Sequence, residues 1–300
     1  MQTMTEEINH CPVCNGTRFE RFLDVTDHFL SGEMFRILAC GDCGFRFVSP
    51  RPVASDIGRY YESDRYISHD ASSMNLFNLA YRFARRWSVG MKYSVVAKHA
   101  GPGDILDIGC GTGEFLHHCA RKGHKVAGVE INTKARDFAT GRYGITTTAD
   151  LTSMAGTGRI FRCITLWHVL EHLHELNTSL ETIRTLMAPG GTLVVAVPNS
   201  NSSDAEHYRE FWAAYDVPRH LYHFTADTLT RLMKNHGLAL RATLPQKLDA
   251  YYVSLLSGQY RSGRRSYPEA IRQGFRSNCG ATRNQRGHSS QIFILSAEKA

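Results

Sequence analysis

From residue 104 onward the chain alternates between two kinds of apolar spacing. Short runs such as DILDIG (104–109), KVAGVEI (125–131), CITLWHV (163–169) and GTLVVAVP (191–198) are almost wholly apolar, as strands buried on both faces must be. Between them Glu114 to Arg121, Lys134 to Thr140 and Leu176 to Met187 carry helical spacing, the last closed by APGG. Ile145 to Thr148 reads as a short strand and Thr225 to His236 as a helix ending at Gly237, with Thr225 as its cap. LALRATL (238–244) and SQIFILSA (290–297) supply the last two strands. Such alternation predicts an α/β fold, a mostly parallel sheet wrapped by helices with right-handed crossovers. Ahead of it, Leu76, Leu79, Ala80, Phe83, Trp87 and Met91 set the apolar face of a long helix from Ser72 to His99, with Arg82, Arg85 and Arg86 on a solvated side. Residues 245–289 interrupt the final pair of strands, and excursions of that length commonly form lids or binding surfaces.

The first fifty residues follow another rule. CPVC (Cys11, Cys14) and CGDC (Cys40, Cys43) are two C-x2-C knuckles whose four thiolates can close a tetrahedron around a structural zinc. SPRP (49–52) reads as a hinge after this ribbon, since each proline disfavours helix in the residue before it. The expected organisation is a zinc ribbon over 1–52, a helical linker or lid over 53–100, and a main domain over 101–300 with its insertion at 245–289. Cys110, Cys119, Cys163 and Cys279 read as ordinary small residues.

No apolar run approaches the roughly 20 residues of a membrane helix, and the N-terminus lacks a signal-peptide pattern, so the expected location is the cytoplasm. The net charge of +7 is carried entirely by residues 241–300, with ten Lys/Arg against three Asp/Glu. That excess suits nucleic acid, an anionic membrane surface or an anionic small substrate, and equally a solvated basic surface.

The candidate chemistry gathers at strand ends. LDIGCGTGEF (106–115) places Gly109, Gly111 and Gly113 between a strand and a helix, a loop that lets a nucleotide-like ligand approach bare backbone. The dinucleotide fingerprint G-x-G-x-x-G is broken by Glu114 where its third glycine would stand. With Asp107 before the loop, the two carboxylates suit a ligand bearing positive charge. Glu130, ending the second strand, can accept both hydroxyls of a ribose, while Asp150 after the third is either a ligand contact or a helix cap. After the fourth strand, LWHVLEHL (166–173) contains H-x-x-E-H, the zinc-peptidase spacing, in the wrong context of a core strand in an α/β alternation. The histidines of this segment, His168 first, can take a proton from a hydroxyl or activated carbon. The loop after the fifth strand gathers Asp216, Arg219, His220 and His223 among aromatics and reads as acceptor-pocket wall or as a packed cover with an Asp216–Arg219 pair.

Taken together, D-x-G-x-G-x-G, CPVC with CGDCGFRFVSPRP, YYESDRYISH, WHVLEHL, DVPRHLYHFT, DAYYVSLLSGQY and the last strand resemble bacterial class I S-adenosylmethionine (SAM)-dependent methyltransferases with an N-terminal zinc ribbon. These are similar in part to ubiquinone-type O-methyltransferases and in part to zinc-ribbon sugar C-methyltransferases. The resemblance implies a Rossmann-like seven-stranded sheet, and SAM held by Asp107, Gly109, Cys110, Gly111, Gly113, Glu130, Ile131, Asp150, Leu151 and Trp167. It implies catalytic work by His168, Glu171, His172 and His220. A divalent ion near His168, Glu171 and His172 corresponds to the E-x-x-E-H pattern of the ubiquinone-type enzymes, with His168 replacing the first glutamate. The expected activity is methyl transfer to a hydroxyl or carbon of a small-molecule acceptor: a secondary metabolite, a sugar or a lipid-linked compound. Two rival readings are an RNA methyltransferase using the basic C-terminal region and a non-catalytic SAM-binding interaction protein.

Overall fold

The fold is described by a computed structural model covering residues 4–61, 76–283 and 286–297, with side chains in the first long helix from Trp87 onward. The expected helix positions Leu76, Leu79, Ala80 and Phe83, the three arginines opposite them and most of YYESDRYISH lie outside the described residues or side chains.

The N-terminal part contributes β1 (Thr5–Glu6), β2 (Phe19–Thr26), β3 (Met34–Cys40), β4 (Arg46–Val48) and β5 (Arg51–Pro52). Helix α1 (Leu76–His99) leads into the alternating region. That region begins with β6 (Ile105–Ile108), α2 (Glu114–Arg121), β7 (Val126–Val129), α3 (Thr133–Tyr143), β8 (Thr146–Thr148) and α4 (Leu151–Ala155). It continues through β9 (Phe161–Trp167), α5 (Leu176–Leu186), β10 (Met187–Pro198), α6 (Ser203–Tyr208) and β11 (Tyr222–His223). It closes with α7 (Ala226–Asn235), β12 (Leu238–Pro245), α8 (Asp249–Ser262), α9 (Tyr267–Arg283) and β13 (Ser290–Ala297). Among the described residues no helix is long and apolar enough to cross a membrane.

Seven strands form one sheet in the order β12-β13-β10-β9-β6-β7-β8. Pairs β10–β9, β9–β6, β6–β7 and β7–β8 are parallel, and β13 runs antiparallel to both β10 and β12. This is the class I methyltransferase sheet, and every residue of β6 is buried, as the continuous apolar run requires. APGG does not separate a helix from the next strand as the sequence suggested. Strand β10 starts at Met187 and carries the irregularity between Met187 and Thr192. Thr225 caps α7 in a reciprocal pair with Thr228.

The N-terminal sheet has the order β11-β4-β3-β2, so its edge strand comes from the loop after β10. Phe45 and Phe47 pack in the same core cluster as Leu221, Tyr222 and Phe224. The expected hinge at SPRP is instead a fixed junction. Arg51, 4% exposed, donates to Glu6 (2.7 Å), the Tyr222 hydroxyl (2.8 Å) and the His174 carbonyl (3.2 Å). A buried guanidinium has to satisfy its donors locally, and these partners come from three separate segments.

The insertion folds into the antiparallel pair α8 and α9. Buried Asp204 on α6 holds α9 in place, accepting from Ser277 (2.7 Å), Ser289 (2.6 Å) and Trp212 Nε1 (2.8 Å).

Candidate active site

The glycine loop follows β6 and runs into α2. Its three glycines all have positive φ but do different work. A Cβ on Gly109 would lie 2.4 Å from Val169, and one on Gly113 would lie 2.9 Å from Ala139. Those two glycines permit close packing of the protein on itself. Gly111, at φ +53°, faces open space, so it is where a ligand can lie on the backbone. Cys110 turns its sulfur into the core, where a Cβ on Gly128 would come within 2.4 Å of it.

Asp107 is buried and directly opposite Thr165 on β9, whose hydroxyl donates to it at 2.5 Å. Burial pushes the Asp107 carboxyl up to about 6, against the opposing pull of Lys92 and Thr165. Lys92 on α1 sits 5.1 Å above the Trp167 ring, and burial lowers its pKa despite Asp107 and Asp249 nearby. A carboxylate in this position gains most from a cationic ligand. Glu130 accepts from Gly111 N and Asn132 N, both at 2.9 Å, so its carboxylate lies at the open glycine. Ile131 beside it is 87% exposed. Asp150 caps α4 through Ser153 N at 2.7 Å, which lowers its pKa. Leu151 follows it, packed against the main core cluster.

His168 stands just past β9, beside the glycine loop, with φ +58°, a left-handed backbone that a non-glycine residue holds only under constraint. Its Nδ1 lies 3.5 Å from Glu171 Oε1 and its Nε2 3.4 Å from Asp249 Oδ2, with 34% of the side chain still accessible. Burial would lower its pKa, but Asp249 and Glu171 together outweigh that and raise it to about 10. In place of the near-neutral histidine expected from sequence, the structure shows one raised well above neutrality, because two carboxylates face it.

The next group differs from expectation too. The turn Leu170–His172 sends His172 away from His168, and the side chains that converge are Glu171, His172 and His220, with ligand atoms within 4.8 Å of one another. His172 Nδ1 lies 2.9 Å from the Tyr61 hydroxyl and from the Arg219 carbonyl, and His220 Nδ1 lies 2.8 Å from the Ala214 carbonyl. With these nitrogens donating to the carbonyls, both Nε2 lone pairs are left for a cation, a tautomer assigned from the hydrogen bonds. Glu171 is fully buried; apart from the 3.5 Å approach of His168 Nδ1 to Oε1, neither of its oxygens meets a hydrogen-bond donor among the described residues. Burial raises its pKa, but His168, His220 and His172 more than offset this and hold it low. Burial and the neighbouring His220 push His172 down to about 4. A buried carboxylate beside two imidazole rings is a donor set that suits a divalent ion, with His220 in place of the expected His168.

Arg219 pairs with Asp216 as the sequence suggested, and also with buried Asp27, both at 2.8 Å. It fixes the loop that carries His220 to the N-terminal module, while His223 is buried in the small sheet and forms no part of the site. In that module the Cys11–Cys43 and Cys14–Cys40 sulfurs lie 3.6 and 3.5 Å apart, unbridged. Zinc–thiolate bonds of about 2.3 Å in a tetrahedron put sulfurs roughly 3.8 Å apart, so the four fit the ion.

Sequence reasoning passed over Thr165, Lys92 and Asp249. Thr165 had a signal, an uncharged polar residue in the middle of the apolar run CITLW. Asp249 had none, because it reaches His168 from the insertion.

The glycine loop, the strand order and the acid ending β7 together define a class I SAM-dependent methyltransferase fold. Residues 81–243 match the methyltransferase domain family, and the chain belongs to that family. It is 31% identical over 105 residues to the ubiquinone biosynthesis O-methyltransferase of Cereibacter sphaeroides, covering 32% of this chain and 42% of that protein. The enzyme of the same name from Paraburkholderia xenovorans is 30% identical over 106 residues, 32% of this chain and 45% of that one. The chain thus spans less than half the length of these curated relatives. Among solved structures, the [4+2]-cyclase SpnF superposes with a TM-score of 0.50 at 16% identity, over 71% of this chain and 81% of that one. That likeness concerns the fold alone.

Proposed function

We propose that the protein transfers a methyl group from SAM to a hydroxyl or carbon of a small-molecule acceptor, with His168 as the base. The observation that carries this reading is the meeting, at the ends of β6 and β9, of buried Asp107 with open Gly111 and of His168 with two carboxylates. SAM bound there supplies an electrophilic methyl on a sulfonium. Asp107 orients its cationic end, Gly111 lets it lie on the backbone, and Glu130 exchanges its backbone partners for ribose hydroxyls. His168 must first lose its proton, and the arrival of positive charge beside the same strand ends lowers its pKa toward the working range. Asp249 then orients the ring and stabilises the imidazolium that forms when the acceptor proton is taken up. Most of the barrier falls through alignment of acceptor, methyl and sulfur. Zinc at Cys11, Cys14, Cys40 and Cys43 is structural, and Glu171, His172 and His220 would hold a divalent ion where an acceptor oxygen can be oriented.

Incubating small-molecule and lipid extracts with the protein and isotopically labelled SAM should yield one labelled product by mass spectrometry. Absence of both a product and SAM binding in titration calorimetry would falsify the reading. Asp249→Asn gives a sharper check on the base. Removing one of the two carboxylates that raise His168 lowers its pKa, so the acid limb of kcat/KM should move to lower pH while kcat falls about tenfold or more. An unmoved limb would remove His168 from that role.

A further inference from the structure

Helix α9 is packed inside out. Its inner face is made of small and polar residues, Ala270, Gln273, Gly274, Ser277 and Ala281. Tyr251 of α8 comes so near Gly274 that a Cβ there would meet it at 2.5 Å. The large side chains point outward: Tyr267, Ile271 and Phe275, spaced at i, i+4 and i+8, are 61, 62 and 61% exposed in one stripe. A scattered exposed apolar residue is ordinary, but a helix that buries its small side and displays its large one is built for contact on its outer face. Leu248, next to the Lys247 carbonyl that accepts from Asn278 of α9, is exposed as well.

The charge on this face has one sign. Residues 261–286 hold seven arginines and one acid, Glu269, which is already held by Arg261 at 3.1 Å. Arg272, Arg276 and Arg283 are exposed, and no acid among the described residues pairs with them. A surface depression of about 460 Å³, lined by Phe275, Arg276, Cys279, Gly280 and Arg283, sets two guanidiniums beside an aromatic ring. We infer that the outer face of α9 docks on an anionic lipid surface, with Tyr267, Ile271 and Phe275 in the headgroup–acyl boundary and the arginines on lipid phosphates. An apolar stripe flanked by arginines is the arrangement that lies in such an interface. Self-association through a two-fold contact would set the arginines against one another, and an aliphatic side chain at the centre of the stripe adds nothing to phosphate contact or base stacking.

The test is sedimentation of the full chain with vesicles of phosphatidylcholine alone and with about a third phosphatidylglycerol, where each arginine near the surface is worth roughly fivefold in partitioning. Binding should require phosphatidylglycerol and weaken with salt. It should fall roughly twenty-five-fold in Arg272→Gln with Arg276→Gln, and vanish in Ile271→Asp with Phe275→Asp, with thermal unfolding unchanged. No binding to the anionic vesicles at low salt, or equal binding by the Ile271→Asp, Phe275→Asp variant, overturns the inference. So does a dimer by light scattering that this variant dissociates, or retention of total RNA by a chain that ignores vesicles.

Discussion

Asp107→Ala should lower SAM affinity about a hundredfold in titration calorimetry while leaving the protein folded. A hydrogen-bonded contact to a charged group is worth roughly 1.5–3 kcal/mol, and a factor of ten corresponds to about 1.4 kcal/mol. The fold should tolerate the change because Thr165 can keep the Leu106 carbonyl as acceptor, at 3.4 Å. The pH dependence separates this role from simple packing. Burial raises the Asp107 carboxyl to about 6, above its ordinary value, so the folded state holds that proton more tightly than the unfolded chain. Its contribution to stability is therefore greatest at low pH and is lost as pH rises toward about 6. Affinity for a cation runs the other way, rising with pH to about 6 and levelling off above it. Asp107→Asn should abolish that slope. A wild-type affinity already flat between pH 5 and 7 would mean that Asp107 does not meet the ligand's positive charge.

What the sequence displays and what it hides follow from the range of the interactions involved. The inner strands β6, β7, β9, β10 and β13 are legible because strands buried on both faces are continuous apolar runs, and the acids at Asp107 and Glu130 stand at the ends of β6 and β7. The glycines mark the loop but not their separate duties, since only the packed structure brings Val169 against Gly109 and Ala139 against Gly113. Strand β11 is two residues long, and its partner β4 lies far back in the chain, so no local pattern announces it. The same holds for Asp249 facing His168 and for His220 joining Glu171. His168, Glu171 and His172 look like one group in LWHVLEHL, but after the left-handed turn at His168 only Glu171 faces both sides, with His168 on one and His172 and His220 on the other. The inverted face of α9 defeats periodicity from the other direction, because the pattern marks as core the residues the fold leaves outside.

Removal of zinc, by chelation or by Cys40→Ser, should impair methyl transfer while sparing SAM binding. Structural zinc in isolated fingers supplies on the order of 10 kcal/mol or more of apparent folding free energy. Here part of that support comes from packing on the main core through Phe45 and Phe47. A loss of about half that amount still predicts a fall in Tm of roughly 10 °C or more. The damage has a path to the acceptor side. Strand β4 pairs with β11, Val48 N donates to the Leu221 carbonyl at 2.9 Å, and Leu221 N donates to the Glu171 carbonyl at 2.8 Å. Loosening the ribbon therefore loosens the backbone that holds Glu171 and His220. Strands β6 and β7, which carry Asp107 and lead to Glu130, pair among the described residues only within the large sheet, so no strand pairing ties them to the ribbon. The expected result is about one zinc per chain by elemental analysis, with kcat reduced at least tenfold after its removal and SAM affinity within about twofold of the intact protein. Equal loss of both would mean that the ribbon supports the whole fold, and loss of neither would mean that the four cysteines hold no metal the protein depends on.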